Sequence, residues 1–75
     1  MNVKELLTEA RLQLAGSPAS GLEAEVLLGW VLDVERAWLF ANPDHVPGAE
    51  QRARFHVLVK RRESGEPVAY LTGRR

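Results

Sequence analysis

A helix that is apolar on two opposite sides cannot stand alone at the edge of a small protein, and residues 21–33 read as such a helix. At 3.6 residues per turn, Ala24, Leu27, Leu28 and Val31 fall in one stripe, while Leu22, Val26 and Trp30 fall in another on the far side. A helix of this kind is surrounded by others. It is therefore predicted to be the central helix, opened by Ser20 and Glu23 as a capping box and closed near Asp33. The chain has 75 residues and no cysteine, so no disulfide staples it and the packing around this helix has to hold it together.

The remaining segments supply the surround. Asn2 with Glu5 fits a capping box, and Val3, Leu6, Leu7, Ala10 and Leu14 make one helical face that Gly16, Ser17 and Pro18 end. Leu12 falls on the opposite side, where one exposed leucine needs no explanation. Glu35 to Ala41 reads as a short third helix, stopped at Asn42 by Pro43 because proline disfavours helix at the residue before it. Pro47 is placed in the first turn of a fourth helix running to about Ser64, with Gln51, Phe55, Leu58, Val59 and Arg62 inward. Gly65 is its predicted C-cap. Pro67 then opens one more turn through Leu71, expected to lay Val68, Tyr70 and Leu71 on the bundle before Thr72 and Gly73 stop it. No segment shows strand periodicity. The fold class is all-α: one helical domain over residues 1–75, a small bundle of five helices, two of them short, without a sheet. Arg74 and Arg75 are expected to fray.

Charge is balanced overall but not along the chain. Residues 1–44 carry three basic and seven acidic groups (3 − 7 = −4), and residues 45–75 carry seven basic and three acidic (7 − 3 = +4). Opposed halves either attract each other within the bundle or leave a basic face for an anionic partner. Lys60, Arg61 and Arg62 crowd the last turn of the fourth helix, where the helix dipole favours cations. Arg54, Val57 and Arg61 form its outward row, and Arg54 and Arg61 are the candidate partner-binding residues. Glu25 on the central helix and Arg62 on the inward side of the fourth are the candidate structural ion pair, with Arg61 left free. Trp30, Trp38, Phe40, Phe55 and Tyr70 are assigned to the core, since they do not alternate with basic residues as a base-stacking groove requires.

Residues with catalytic chemistry are scarce. Neither Gly65 nor Gly73 follows a strand, so neither belongs to a phosphate loop. His56 reads as a solvated flank residue, and His45, in a proline-bounded loop, is positioned to pair with Asp44; two histidines do not build a metal site. Glu23 and Glu25 point to different sides of their helix and form no acid/base dyad. No catalytic, cofactor-binding or metal residue is assigned. No apolar run reaches the ~20 residues of a membrane span, and no signal peptide is evident, so a cytoplasmic location is the default.

The segment Arg61–Arg75, RRESGEPVAYLTGRR, closely resembles the end of the N-terminal domain of the bacterial release factor glutamine methyltransferases, the HemK or PrmC family. Glu23-Ala24-Glu25-Val26-Leu27-Leu28 and Arg36-Ala37-Trp38-Leu39 resemble two further stretches of that domain, with Glu23 where the family usually has aspartate. The resemblance implies a parent enzyme that transfers a methyl group from S-adenosylmethionine to the glutamine of the Gly-Gly-Gln motif of peptide chain release factors. In such a parent a separate Rossmann-like catalytic domain, absent from these residues, binds the methyl donor. This fragment is then expected to bind no cofactor, to be inactive alone, and to act as a monomer with two partners: the release factor and its own catalytic domain in cis. No membrane or direct nucleic-acid contact is expected. The alternatives are the paralogous methyltransferase of a ribosomal protein, a free-standing nucleic-acid-binding helical module, and a folding unit that only covers the catalytic domain.

Overall fold

The computed structural model describes residues 1–73, so the expectation for Arg74 and Arg75 lies outside the described residues. Five helices follow in order: α1 (Val3–Gln13), α2 (Ser20–Leu32), α3 (Arg36–Ala41), α4 (Ala49–Glu63) and α5 (Val68–Leu71). No strand occurs among the described residues. The all-α class, the five elements and the two short helices are as the sequence predicts.

α1 begins as its local chemistry dictates. Glu5 N–H donates to Asn2 Oδ1 at 2.8 Å, and Asn2 N–H donates back to Glu5 Oε1 at 2.9 Å. Two further amides of its first turn find carbonyls in the α3–α4 loop: Val3 N–H donates to His45 O at 2.8 Å and Lys4 N–H to Pro43 O at 3.1 Å. α2 begins differently from expectation. Ala19 is its N-cap and Ser20 is already helical, because Glu23 N–H bonds the Ala19 carbonyl at 2.9 Å while the Glu23 carboxylate is drawn away to α4. Pro47 also lies outside its helix: Gly48 is the N-cap of α4, its N–H donating to Gln51 Oε1 at 3.0 Å, and Pro47 is buried just ahead of it.

α2 packs against each of the other four helices. Its inward stripe, Ala24, Leu27, Leu28 and Val31, is the buried centre. Val3, Leu6, Ala10 and Leu14 close on it from α1, Leu39 from α3, Phe55 and Val59 from α4, and Leu71 from α5. Each leucine or phenylalanine fully buried in this way contributes about 1.5–3 kcal/mol, the main stabilising term available to so small a core. The far stripe of α2 is not closed over: Leu22 and Trp30 are exposed and Val26 is half-buried. Of the aromatics assigned to the core, Phe55 is buried and Trp38 half-buried, but Trp30, Phe40 and Tyr70 are exposed. The predicted positions exceeded what five short helices can enclose, and Tyr70 points outward from a one-turn helix that already spends Leu71 on the core.

The ion pairs also differ from expectation. Glu25 does not meet Arg62; it accepts from Arg36 of α3 (Nη2 at 2.9 Å, Nε at 3.0 Å), and Arg62 reaches Glu23 instead, Nη2 to Oε2 at 3.2 Å. Residues two positions apart on a helix are separated by about 200° around its axis, so Glu23 and Glu25 address different neighbours. Glu23 faces the end of α4 and Glu25 the start of α3. The Glu23–Arg62 bridge is made through one atom pair, and both side chains are mostly buried, 16% and 24% exposed. Glu23 Oε1 and Arg62 Nε stay buried without a partner among the described residues. The bridge is therefore worth less than a fully satisfied buried pair, but removing one partner strands the other. A double-mutant cycle in urea is expected to give a coupling of about 1–2 kcal/mol for Glu23→Gln with Arg62→Ala. Glu25→Gln with Arg62→Ala is expected to be additive within about 0.5 kcal/mol, and a coupling in that second cycle equal to the first would refute the pairing.

Candidate functional site

The most specific stretch of the sequence is a helix stop. Where α4 ends, Gly65 N–H donates to Arg62 O at 3.0 Å and Glu66 N–H donates to Arg61 O at 3.2 Å, with Gly65 at φ 114°. This is the paired-bond termination that places a glycine in a backbone region costly for any side chain. An apolar contact usually fastens such a stop; here an ion pair does so. Arg61 grips Glu66 with both ends of its fork, Nε to Oε2 at 2.9 Å and Nη2 to Oε1 at 2.7 Å. Arg62 adds a longer contact from Nη1 to the Glu66 carbonyl at 3.5 Å. Pro67 follows as the N-cap of α5. Arg61 is thus not free, as the sequence had suggested, because its carboxylate partner arrives only after the chain has turned at Gly65.

The remaining candidates are distributed over the surface. Arg54 is exposed on α4 and lines a hollow of about 370 Å³ with Trp30 of α2 and Glu50, Ala53, Val57 and Leu58 of α4. A second hollow, of about 410 Å³, lies on the other side of Trp30, between α2, the α2–α3 corner and Thr72. His56 is on the surface, with Nε2 at 3.3 Å from Glu9 Oε1, linking α4 to α1. His45 does not turn to Asp44 for a partner; its ring meets Trp38 edge-on, centroids 5.1 Å apart at 79°. No group of three or more metal-ligating side chains occurs among the described residues, and no helix among them is long and apolar enough to cross a membrane. Sequence reasoning missed Trp30 as a surface residue. The available signal is the second α2 stripe, which no neighbouring helix arrives to cover.

Gly65 is committed to the α4 stop, and the carboxylates of Glu23 and Glu25 are each held by an arginine. What the geometry does offer is a small helical body with two surface hollows that share Trp30 in their lining.

Comparison with known proteins gives this helical domain a family. Residues 5–73 match the family model described as the PrmC N-terminal domain, and the chain belongs to that family. It is 43% identical over 74 residues to the release factor glutamine methyltransferase of Shewanella oneidensis, an alignment covering 97% of this chain and 26% of that protein. It is 37% identical over 75 residues to that of Koribacter versatilis (97% and 27%), and 45% identical over 60 residues to that of Rhodopirellula baltica (80% and 20%). The chain thus spans about a quarter of the length of the curated relatives it matches. No solved structure matches it significantly.

The Arg61–Glu66 fork has a pH signature. Hydrogen bonding and the charge of Arg61 hold the Glu66 carboxyl below the usual glutamate range, and Glu66 correspondingly raises Arg61. A carboxylate with a lowered folded pKa stabilises the fold above the unfolded value, and that contribution is lost as pH falls through the lowered folded one. Titration of the Glu66 side-chain carbon by NMR is expected to show a midpoint below the ordinary glutamate range, returning to it in Arg61→Ala. An identical midpoint in both proteins would remove the fork.

Proposed function

We propose that this chain is the N-terminal helical domain of an S-adenosylmethionine-dependent methyltransferase that modifies the glutamine of the Gly-Gly-Gln motif in peptide chain release factors. The observation that supports the reading is the family match over residues 5–73, with relatives named release factor glutamine methyltransferase. In this reading the methyl donor binds in the remainder of the longer protein, where it supplies the transferable methyl group, and this domain carries no catalysis. Its part is to hold the protein substrate. Arg54 is the leading contact residue: it is exposed and beside the partly exposed Trp30 and Val57. A planar cation next to an aromatic and an aliphatic side chain is the composition of a protein-binding hot spot. Arg61 contributes from the same helix but arrives already paired with Glu66, which lowers what it can offer a partner. The reading also places the protein in the cytoplasm, where release factors act.

In the full-length enzyme, Arg54→Ala is expected to raise KM for release factor about three- to tenfold with kcat unchanged, the pattern of lost uniform binding. An unaltered KM removes Arg54 from the interface. Isothermal calorimetry of the 75-residue chain with S-adenosylmethionine is expected to show no heat of binding, and micromolar affinity would contradict the assignment of the donor to the rest of the enzyme.

A further inference from the structure

The outward stripe of α2 is the surface that the bundle leaves least accounted for. Leu22 is 47% exposed and Trp30 42%, with Val26 half-buried one turn from each. Val26, Gly29 and Trp30 floor the hollow of about 410 Å³; Asp33, Val34, Glu35 and Arg36 wall it on one side and Thr72 on another. The corner beside it is rigid. Val34 N–H donates to Gly29 O at 2.9 Å, Asp33 turns the chain at φ 58°, and a Cβ on Gly29 would lie 2.8 Å from the Val34 carbonyl. The opposite wall is rigid as well, for Thr72 is 2% exposed and its hydroxyl donates to Val68 O at 3.2 Å.

We propose that this hollow is the seat of the C-terminal part that the longer relatives carry, so that Val26 and Trp30 become buried between the two parts of one protein. The proposal rests on the reading of the chain as the N-terminal domain of a longer enzyme, and it names the surface through which the two parts meet. Three observations select this occupant. The family is one of N-terminal domains, and the matched relatives have about three-quarters of their length beyond it. Thr72, the C-cap of α5, lines the hollow, and in the longer protein of that reading a tethered partner sits at a millimolar-scale effective concentration. Finally, the lining has a definite polarity. Glu25, Asp33 and Glu35 against Arg36 give −3 + 1 = −2 around an apolar floor, which calls for an apolar side chain flanked by basic groups.

The chain has no cysteine, which allows a direct test. Val26→Cys and Glu35→Cys report on the hollow, and Val57→Cys reports on the α4 face beyond Trp30. Alkylation of each is timed by peptide mass spectrometry in the 75-residue chain and in the full-length enzyme. At positions 26 and 35 the full-length enzyme is expected to react at least about tenfold more slowly, the protection of a face covered about nine-tenths of the time. Position 57 is expected to react alike in both. Equal rates at 26 and 35 overturn the proposal. So does protection that appears only when release factor is added, or only as protein concentration rises, since the occupant is then the substrate or a second copy. Methyl transfer to release factor is measured on the same samples. Protection in an enzyme that methylates no release factor leaves the docking face standing and removes the proposed function; activity without protection does the reverse.

Discussion

Every other part of the bundle is arranged by the need to cover α2, and the bundle can cover only half of it. One stripe of four residues, Ala24 to Val31, draws in the apolar faces of α1, α3, α4 and α5 and is sealed by them. A chain of this size buries only about 60% of its unfolded surface, so enclosing a second stripe would require helices it does not have. The result is a bundle with one strong inside and one apolar outside. Both electrostatic ties of α2 lie at the boundary between these, Glu23 to the end of α4 and Glu25 to the start of α3.

How far the sequence revealed this depended on the range of the interaction involved. The Asn2–Glu5 box and the Gly65 stop are settled within a few residues, and both were legible. The inward faces of α1, α2 and α4 were legible too, because helical period alone assigns Leu6, Leu27 and Phe55 to one side. Matters of competition were not. Ser20 and Glu23 have the spacing of a capping box, but Arg62, thirty-nine residues away, takes the carboxylate. Glu25 and Glu23 are equally plausible partners for Arg62 until the rotation of α2 is known. Burial of aromatics failed for a related reason: period shows which side a ring is on, whereas exposure depends on whether anything arrives to cover it, and nothing in the bundle covers Trp30, Phe40 or Tyr70.

The signature RRESGEP makes sense as a mechanical device. Gly65 supplies the conformation, Glu66 returns a carboxylate to Arg61, Arg62 ties the same turn to α2 through Glu23, and Pro67 prevents α4 from continuing. The string that identifies the family therefore works by fixing the angle at which the chain turns from α4 into α5, and with it the place where Thr72 enters the wall beside Trp30.

The two hydrogen bonds from the first turn of α1 to Pro43 O and His45 O join the beginning of the chain to its middle. During synthesis this imposes an order in time. The first helix can be capped by Asn2 as soon as it emerges, and the α2 stripe its apolar face meets is complete by Val31, but the amides of Val3 and Lys4 have no partner until some forty further residues have been made. At about 5–20 residues per second that interval lasts on the order of 2–8 seconds. Through those seconds the first turn of α1 lacks the loop carbonyls that later hold it, so the helix made first is among the last to be fixed at its N-terminal end.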